Sequence, residues 1–198
     1  YLSNNYIVEL HLQQFEGLVN IEWLILNNNC IVELHLQQFE SLTAIQYLDL
    51  SKNHIKIIPS QLLLNCPKLE LLDLSHNDLL FFQLPTSVRY TFLVYLSLSN
   101  NKLSIFQNGI FQSMSALKYL DLSKNEFNAF ESSMYLGNNS LVSLDIIDMR
   151  SNALQRVNYE SFKEFHNLTQ IMVDNEATCC LIESANCTAT IPPSQFLT

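Results

Sequence analysis

Apolar residues return along this chain in fixed columns. In the stretch Ile45 to Ile55, IQYLDLSKNHI, the columns are held by Ile45, Leu48, Leu50, Asn53 and Ile55. The alternation around Leu48 and Leu50 predicts a short strand with one buried face. Asn53 stands where that strand ends and the chain turns a corner. An inward amide at such a corner can hydrogen-bond to the backbone of neighbouring coils, the partner a buried polar group needs.

The same spacing recurs from Ile21, Ile45, Leu69, Leu93, Leu117, Leu144 and Leu168. The interval is constant except between Leu117 and Leu144, where it is longer by three. The Asn column runs Asn5, Asn29, Asn53, Asn77, Asn101, Asn125 and Asn152, and two positions on stand Ile7, Ile31, Ile55, Leu79, Leu103, Phe127 and Leu154. Three further on come Leu10, Leu34, Ile58, Phe82, Phe106, Phe130 and Val157. A Phe column in the returning limb holds Phe15, Phe39, Phe111 and Phe162, with Leu63 in register; the fourth and sixth repeats lack it. In the fourth, QLPTSVRYTF follows Phe82, Pro85 interrupts regular backbone, and Val88 or Tyr90 is expected to replace the Phe.

No single repeat can bury its apolar edge alone, so the columns predict stacking of like on like into one continuous core. The pattern resembles the leucine-rich repeat, and the fold it implies is an α/β solenoid. That fold is a horseshoe with a parallel concave β-sheet and an irregular or short-helical convex side. The repeats are expected over 1–176, about eight with the first and last incomplete, followed by a cysteine-containing cap or hinge over 177–198. The first two are nearly identical: NNYIVELHLQQFE from Asn4 and NNCIVELHLQQFE from Asn28 differ only at Tyr6 and Cys30. Duplication of one unit accounts for this, and for His11 and His35 in register as two solvated copies rather than a metal pair.

Between the buried columns lie the strand positions that face the hollow. One row reads Trp23, Tyr47, Leu71, Tyr95, Tyr119, Ile146 and Gln170; the next reads Ile25, Asp49, Asp73, Ser97, Asp121, Asp148 and Met172. A third reads Asn27, Ser51, Ser75, Ser99, Ser123, Arg150 and Asp174. The expected ligand surface is therefore Trp23, Tyr47, Asp49, Asp73, Tyr95, Tyr119, Asp121, Asp148 and Arg150. Neighbouring carboxylates about 4.8 Å apart repel by roughly 1 kcal/mol in water and by more where desolvated, which a bound cation relieves. Tyr and Trp suit interface anchors.

Charge agrees: 10 basic against 19 acidic residues give a net −9. That disfavours nucleic acid and anionic membrane surfaces and favours a basic partner. No apolar run reaches the roughly 20 residues a membrane helix needs. With 3 glycines and no nucleophile elbow, phosphate loop or H-E-x-x-H, the chain has no motif for catalysis, a cofactor or a metal.

Cys66 falls in the Leu18, Leu42, Met114 column and reads as a buried free thiol; Cys30 has no partner in phase. Cys179, Cys180 and Cys187 cluster after the repeats and read as a disulfide-tied cap in an oxidising compartment. Asn138, Asn167 and Asn186 open glycosylation sequons, in keeping with export. The chain opens inside a repeat without Met, leader or cap, so it is expected to be a piece of a longer protein.

The segment CCLIESANCTATIPPSQFLT, Cys179 to Thr198, resembles the junction between repeats and first membrane helix in leucine-rich-repeat G-protein-coupled receptors. It looks most like the relaxin-receptor-like branch and the related invertebrate glycoprotein-hormone receptors. The resemblance implies a secreted peptide hormone held on the concave face, Asp49, Asp73, Asp121 and Asp148 receiving its basic side chains. It also implies membrane attachment only through a seven-helix domain that this sequence lacks, so the chain is expected to be either a fragment on the extracellular side of the plasma membrane or a soluble, secreted relative. An extracellular adhesion or innate-recognition protein, of Toll-like or matrix type, is the alternative.

Overall fold

A computed structural model of the chain describes residues 1–85, 87–106, 109–130, 141–157, 162, 165–174 and 186–189, the last four and 156–157 by backbone alone. The predicted strands are present and short. They are β1 (Trp23–Ile25), β2 (Tyr47–Asp49), β3 (Leu71–Asp73), β4 (Tyr95–Ser97), β5 (Tyr119–Asp121), β7 (Ile146–Asp148) and β9 (Gln170–Val173). With β10 (Asn186–Ala189) they form one eight-stranded sheet in the order β1-β2-β3-β4-β5-β7-β9-β10, every pair parallel. A second sheet of two short strands, β6 (Ala129–Phe130) and β8 (Arg156–Val157), lies on the limb leaving the main strands.

Register follows the repeat. Tyr47 pairs with Leu71, Leu71 with Tyr95 and Tyr95 with Tyr119, so each column of the sequence is a row across the sheet. The lengthened coil keeps this register, because Tyr119 still pairs with Ile146. The sheet does not stop where the template does. Asn186 pairs with Gln170, a step well short of the repeat length. This eighth strand falls inside the segment expected to be cap, where no apolar column announced it.

The middle residue of each strand and the two Leu columns flanking it point inward. Leu24, Leu48, Leu72, Leu96, Leu120 and Ile147 are buried, as are Leu26, Leu50, Leu74, Leu98, Leu122 and Met149. Each such side chain contributes about 1.5–3 kcal/mol, and stacking supplies a partner above and below for all but the end coils. The Phe column packs likewise: Phe15 and Phe39 are buried with ring centroids 6.0 Å apart, and Phe111 and Phe162 are buried too. In the fourth repeat Tyr90 is the replacement. It is fully buried, and its hydroxyl donates at 3.1 Å to the carbonyl of Leu63, the Phe-column residue of the coil before; Val88 is only partly buried.

Polar groups inside the stack are satisfied by the Asn column. Asn53 donates from Nδ2 to Leu50 of its own coil at 3.0 Å and to Leu26 of the preceding coil at 3.1 Å. Its Oδ1 accepts from the Ile31 amide at 3.0 Å. Asn29, Asn77, Asn101, Asn125 and Asn152 repeat this pattern. The residue before each Asn is left-handed, with φ between 52° and 57° at Asn4, Asn28, Lys52, His76, Asn100, Lys124 and Ser151. The corner demands this conformation, and Asn tolerates it better than Lys or His.

Among the described residues the limbs on the convex side are turns, with a 3₁₀ segment at Leu36–Phe39. The duplicated units differ in burial because only the second has neighbours on both sides. Gln38 is buried, with Nε2 donating to the Leu10 carbonyl at 2.6 Å, while Gln14, its copy, is exposed. Cys66 is a buried free thiol, and burial pushes it up to about 12. Cys30 is free and half-buried. No helix among the described residues is long and apolar enough to cross a membrane.

Candidate functional site

Because alternate strand residues face opposite ways, the first and third positions of β1 to β5, β7 and β9 open onto the concave side. The aromatic row forms two stacks rather than one stripe. Trp23 and Tyr47 lie parallel with centroids 4.8 Å apart and planes 5° from each other; Tyr95 and Tyr119 stack at 5.0 Å and 1°. These distances are the strand spacing itself. Leu71 separates the pairs. Trp23 keeps 53% of its surface exposed, enough ring to act as an anchor.

The carboxylates in the next row turn first to their own backbone. Asp49, Asp73 and Asp121 accept at Oδ1 from the amides of Ser51, Ser75 and Ser123, each at 2.9 Å, and Asp148 accepts from the Arg150 amide at 3.0 Å. Each therefore closes the turn that follows its strand, a role the spacing alone did not reveal. Asp49 is buried, while Asp73 and Asp121 remain half-buried. Burial raises the Asp73 carboxyl above the usual range; the Ser75 hydrogen bonds pull it back, and the charges of Asp49 and Asp121 raise it again. Burial together with Asp73 pushes the Tyr95 phenol up to about 12, and Tyr47 and Tyr119 rise from burial and from neighbouring carboxylates. The middle of the face is thus an anionic strip that disfavours further negative charge.

Asp148 and Arg150 belong to each other. The guanidinium grips the carboxylate with Nε at 2.9 and 3.1 Å and Nη2 at 2.5 Å. This leaves 3% of the Asp148 side chain exposed against 37% for Arg150. Asp148 therefore offers little charge to a ligand. In the third row Ser51, Ser75 and Ser99 are largely buried, and the Oδ1 of Asn27 in the same row is enclosed without a hydrogen-bond partner.

Outside this face, Lys102 pairs with Asp78 at 2.5 Å, and His54 approaches the same carboxylate at 3.7 Å. Asp78 is held below its usual range chiefly by the Lys102 hydrogen bond. His11 and His35 are both exposed. Among the described residues no cluster of His, Cys, Asp or Glu is placed to hold a metal. Asn167 is exposed on the turn before β9, donating from Nδ2 to the Val142 carbonyl at 2.6 Å. Asn138, Cys179 and Cys180 lie outside the described residues, as do the side chains of Asn186 and Cys187.

The leucine-rich-repeat model matches residues 1–55, 23–79 and 91–146. Among solved structures the chain is similar to one in the crystal structure of a TLR13–ssRNA13 complex. There the TM-score is 0.70 at 26% identity, over 87% of this chain and 28% of that one. It is also similar to one in the Toll–Spatzle complex of Drosophila, in its glycosylated form. That match has a TM-score of 0.69 at 25% identity, over 87% of this chain and 24% of the other. The chain thus spans about a quarter of the length of either. No curated protein sequence matches it. Repeat template, parallel sheet and Asn ladder converge with these matches, and the chain belongs to the leucine-rich-repeat family.

Proposed function

We propose that this chain is part of an extracellular recognition receptor that captures a basic protein or peptide on its concave face. The observation that carries this is the pairing of two solvent-facing aromatic stacks with a row of carboxylates on one open sheet. Aromatic anchors supply desolvated contact area, and the carboxylates select charge and steer the encounter. Likeness to the Toll–Spatzle complex supports an innate-recognition role over a hormone receptor. The other neighbour is a complex with single-stranded RNA; for this chain the net charge of −9 favours a protein ligand. The role needs no catalysis.

A second reading, the ectodomain of a G-protein-coupled hormone receptor, rests on the tail with Cys179, Cys180 and Cys187. Both readings place the chain outside the cell, with 1–176 as the binding region and 177–198 as its closure.

The test is a screen of secreted proteins against wild type and a variant carrying Trp23→Ala, Tyr95→Ala and Asp121→Asn, with His11→Ala as convex-side control. The expected ligand binds wild type and the control, is lost with the triple variant, and weakens as salt shortens the screening length from about 8 Å toward 3 Å. Retention by the triple variant would move the site elsewhere.

A further inference from the structure

The limb leaving the main strands carries a column that the core does not use. It reads Glu9, Glu33, Ile57, Phe81, Ile105 and Ala129. The columns around it are buried, at Ile55, Leu79 and Leu103 and at Ile58, Phe82 and Phe106. Ile57, Phe81 and Ile105 turn outward instead, and together with Leu80 they are 41% to 69% exposed. Successive limbs lie one strand spacing apart. The amides of His54, Asp78 and Lys102 donate at 2.9 Å to the carbonyls of Ile31, Ile55 and Leu79 on the coil before. Further along, the same column pairs as strand, Ala129 with Arg156. The three outward side chains are therefore neighbours in one ridge. Single exposed apolar residues are ordinary, but a contiguous group of them marks a contact surface.

At one end the ridge borders a cleft of about 290 Å³, lined by Val32, Leu34, Ile57 and Pro59 with Glu33 and Lys56 on its wall. A cleft of that size has room for one large side chain. Basic groups outnumber acidic ones here, in a chain where acids prevail: Lys52, Lys56 and Lys102 stand against Glu33 and Asp78. Asp78 is already engaged, by Lys102 at 2.5 Å and by His54 at 3.7 Å, and it lies in the field of Lys56 as well. Lys52 and Lys56 are exposed and have no ion-pair partner among the described residues. One coil further, Lys124 and Glu126 cancel.

We propose that this flank docks an acidic segment of a partner protein. A large apolar side chain of that segment fills the cleft and lies along the ridge, and its carboxylates meet Lys52 and Lys56. An apolar anchor in a pocket supplies the desolvated contact, and unpaired lysines at the rim select a segment of opposite charge. The surface is separate from the concave face, so the proposal stands or falls independently of the function read from that face.

The probe is a displayed library of short random peptides, selected on the wild-type chain after depletion on Ile57→Ser/Phe81→Ser. Both substituted residues are exposed, so the variant should keep the wild-type unfolding midpoint. The retained peptides should carry Asp or Glu around a Phe, Trp or Leu, and should bind the variant at least about tenfold more weakly than wild type. Lys52→Glu with Lys56→Glu should weaken them about tenfold too, and His11→Ala should bind as wild type does. Should the serine variant not fold, depletion on the lysine variant carries the test. The proposal is overturned if no peptide is retained, if those retained are basic or lack a large apolar residue, or if the lysine variant binds them unchanged. Binding of wild type to phosphatidylserine vesicles that is lost in Phe81→Ser also overturns it, making the flank a lipid surface. Self-association in sedimentation that is lost in Phe81→Ser overturns it as well, giving the flank to a second copy.

Discussion

The Nδ2 of Asn77 donates at 3.0 Å to the carbonyl of Leu50, one coil back, and at 3.1 Å to that of Leu74 on its own coil. Its Oδ1 accepts from Ile55 at 3.0 Å. One side chain thus ties two coils by their backbones in the buried interior. Replacing Asn77 with Ala leaves the Ile55 amide without its partner, while the Leu50 and Leu74 carbonyls keep those they have in Asn53 and Asn101. An unmet buried group costs about 1–3 kcal/mol, and a loss in that range is expected. Asn5→Ala, at an exposed end of the column, should cost under ~1 kcal/mol. Urea unfolding of the two variants measures this, and equal losses would show that the ladder is not a main cohesive element.

Lys52 and Lys124 occupy left-handed corners, with φ of 53° and 54°. At the same corner Asn28 donates to Asn4 at 2.8 Å, and Asn100 bonds His76 at 2.8 Å. Lys52→Asn should relieve part of a backbone cost of about 1–2 kcal/mol and add a partner for Asn28 or His76. The expected outcome is a gain of about 0.5–1 kcal/mol, read as a higher unfolding midpoint; a lower one would contradict the corner argument.

The pH dependence of stability should carry the mark of Asp73, whose carboxyl is raised chiefly by burial. Because its folded value exceeds the unfolded one of about 3.9, the contribution is fully favourable below the unfolded value. It is lost as pH rises through the folded value. Asp73→Asn keeps the acceptor for Ser75 and removes the titration. The variant should therefore match wild type near pH ~3 and be the more stable of the two by pH ~7. A stability gap that instead closes with rising pH would refute the assignment.

Cys66 is buried and its thiol stands at about 12, so the thiolate that reacts is scarce as well as inaccessible. Peptide-resolved mass spectrometry after alkylation of the native protein should find Cys30 modified and Cys66 intact until denaturant is added. Modification of native Cys66 would require the coil to open.

The solenoid was legible because its causes are periodic. Leu48, Leu50, Asn53 and Ile55 each do one job, and the job repeats at one interval, so columns reveal strand, corner and core together. What escaped notice is what a column cannot carry. Asp49, Asp73 and Asp121 look alike in sequence whether they face a ligand or close their own turn, since side-chain torsion decides. Arg150 and Asp148 stand two apart, as many unpaired residues do. The left-handed corner was hidden because Asn, Lys, His and Ser share it. Strand β10 escaped because its short step from Gln170 to Asn186 breaks the period on which every other strand of the main sheet was found. The tail resembles a hormone-receptor junction, whereas the matched solved structures are a TLR13–ssRNA13 and a Toll–Spatzle complex, the likeness on which the proposed function draws.

The lengthened coil between Leu117 and Leu144 has one more consequence. Its added chain leaves the pairing of Asp121 with Asp148 unshifted, and Asn152 still reaches Leu122, now 30 positions back. A change of coil length at this point is therefore absorbed without moving the strands on either side of it. A descendant of this chain could gain or lose residues between these columns and still present the same rows.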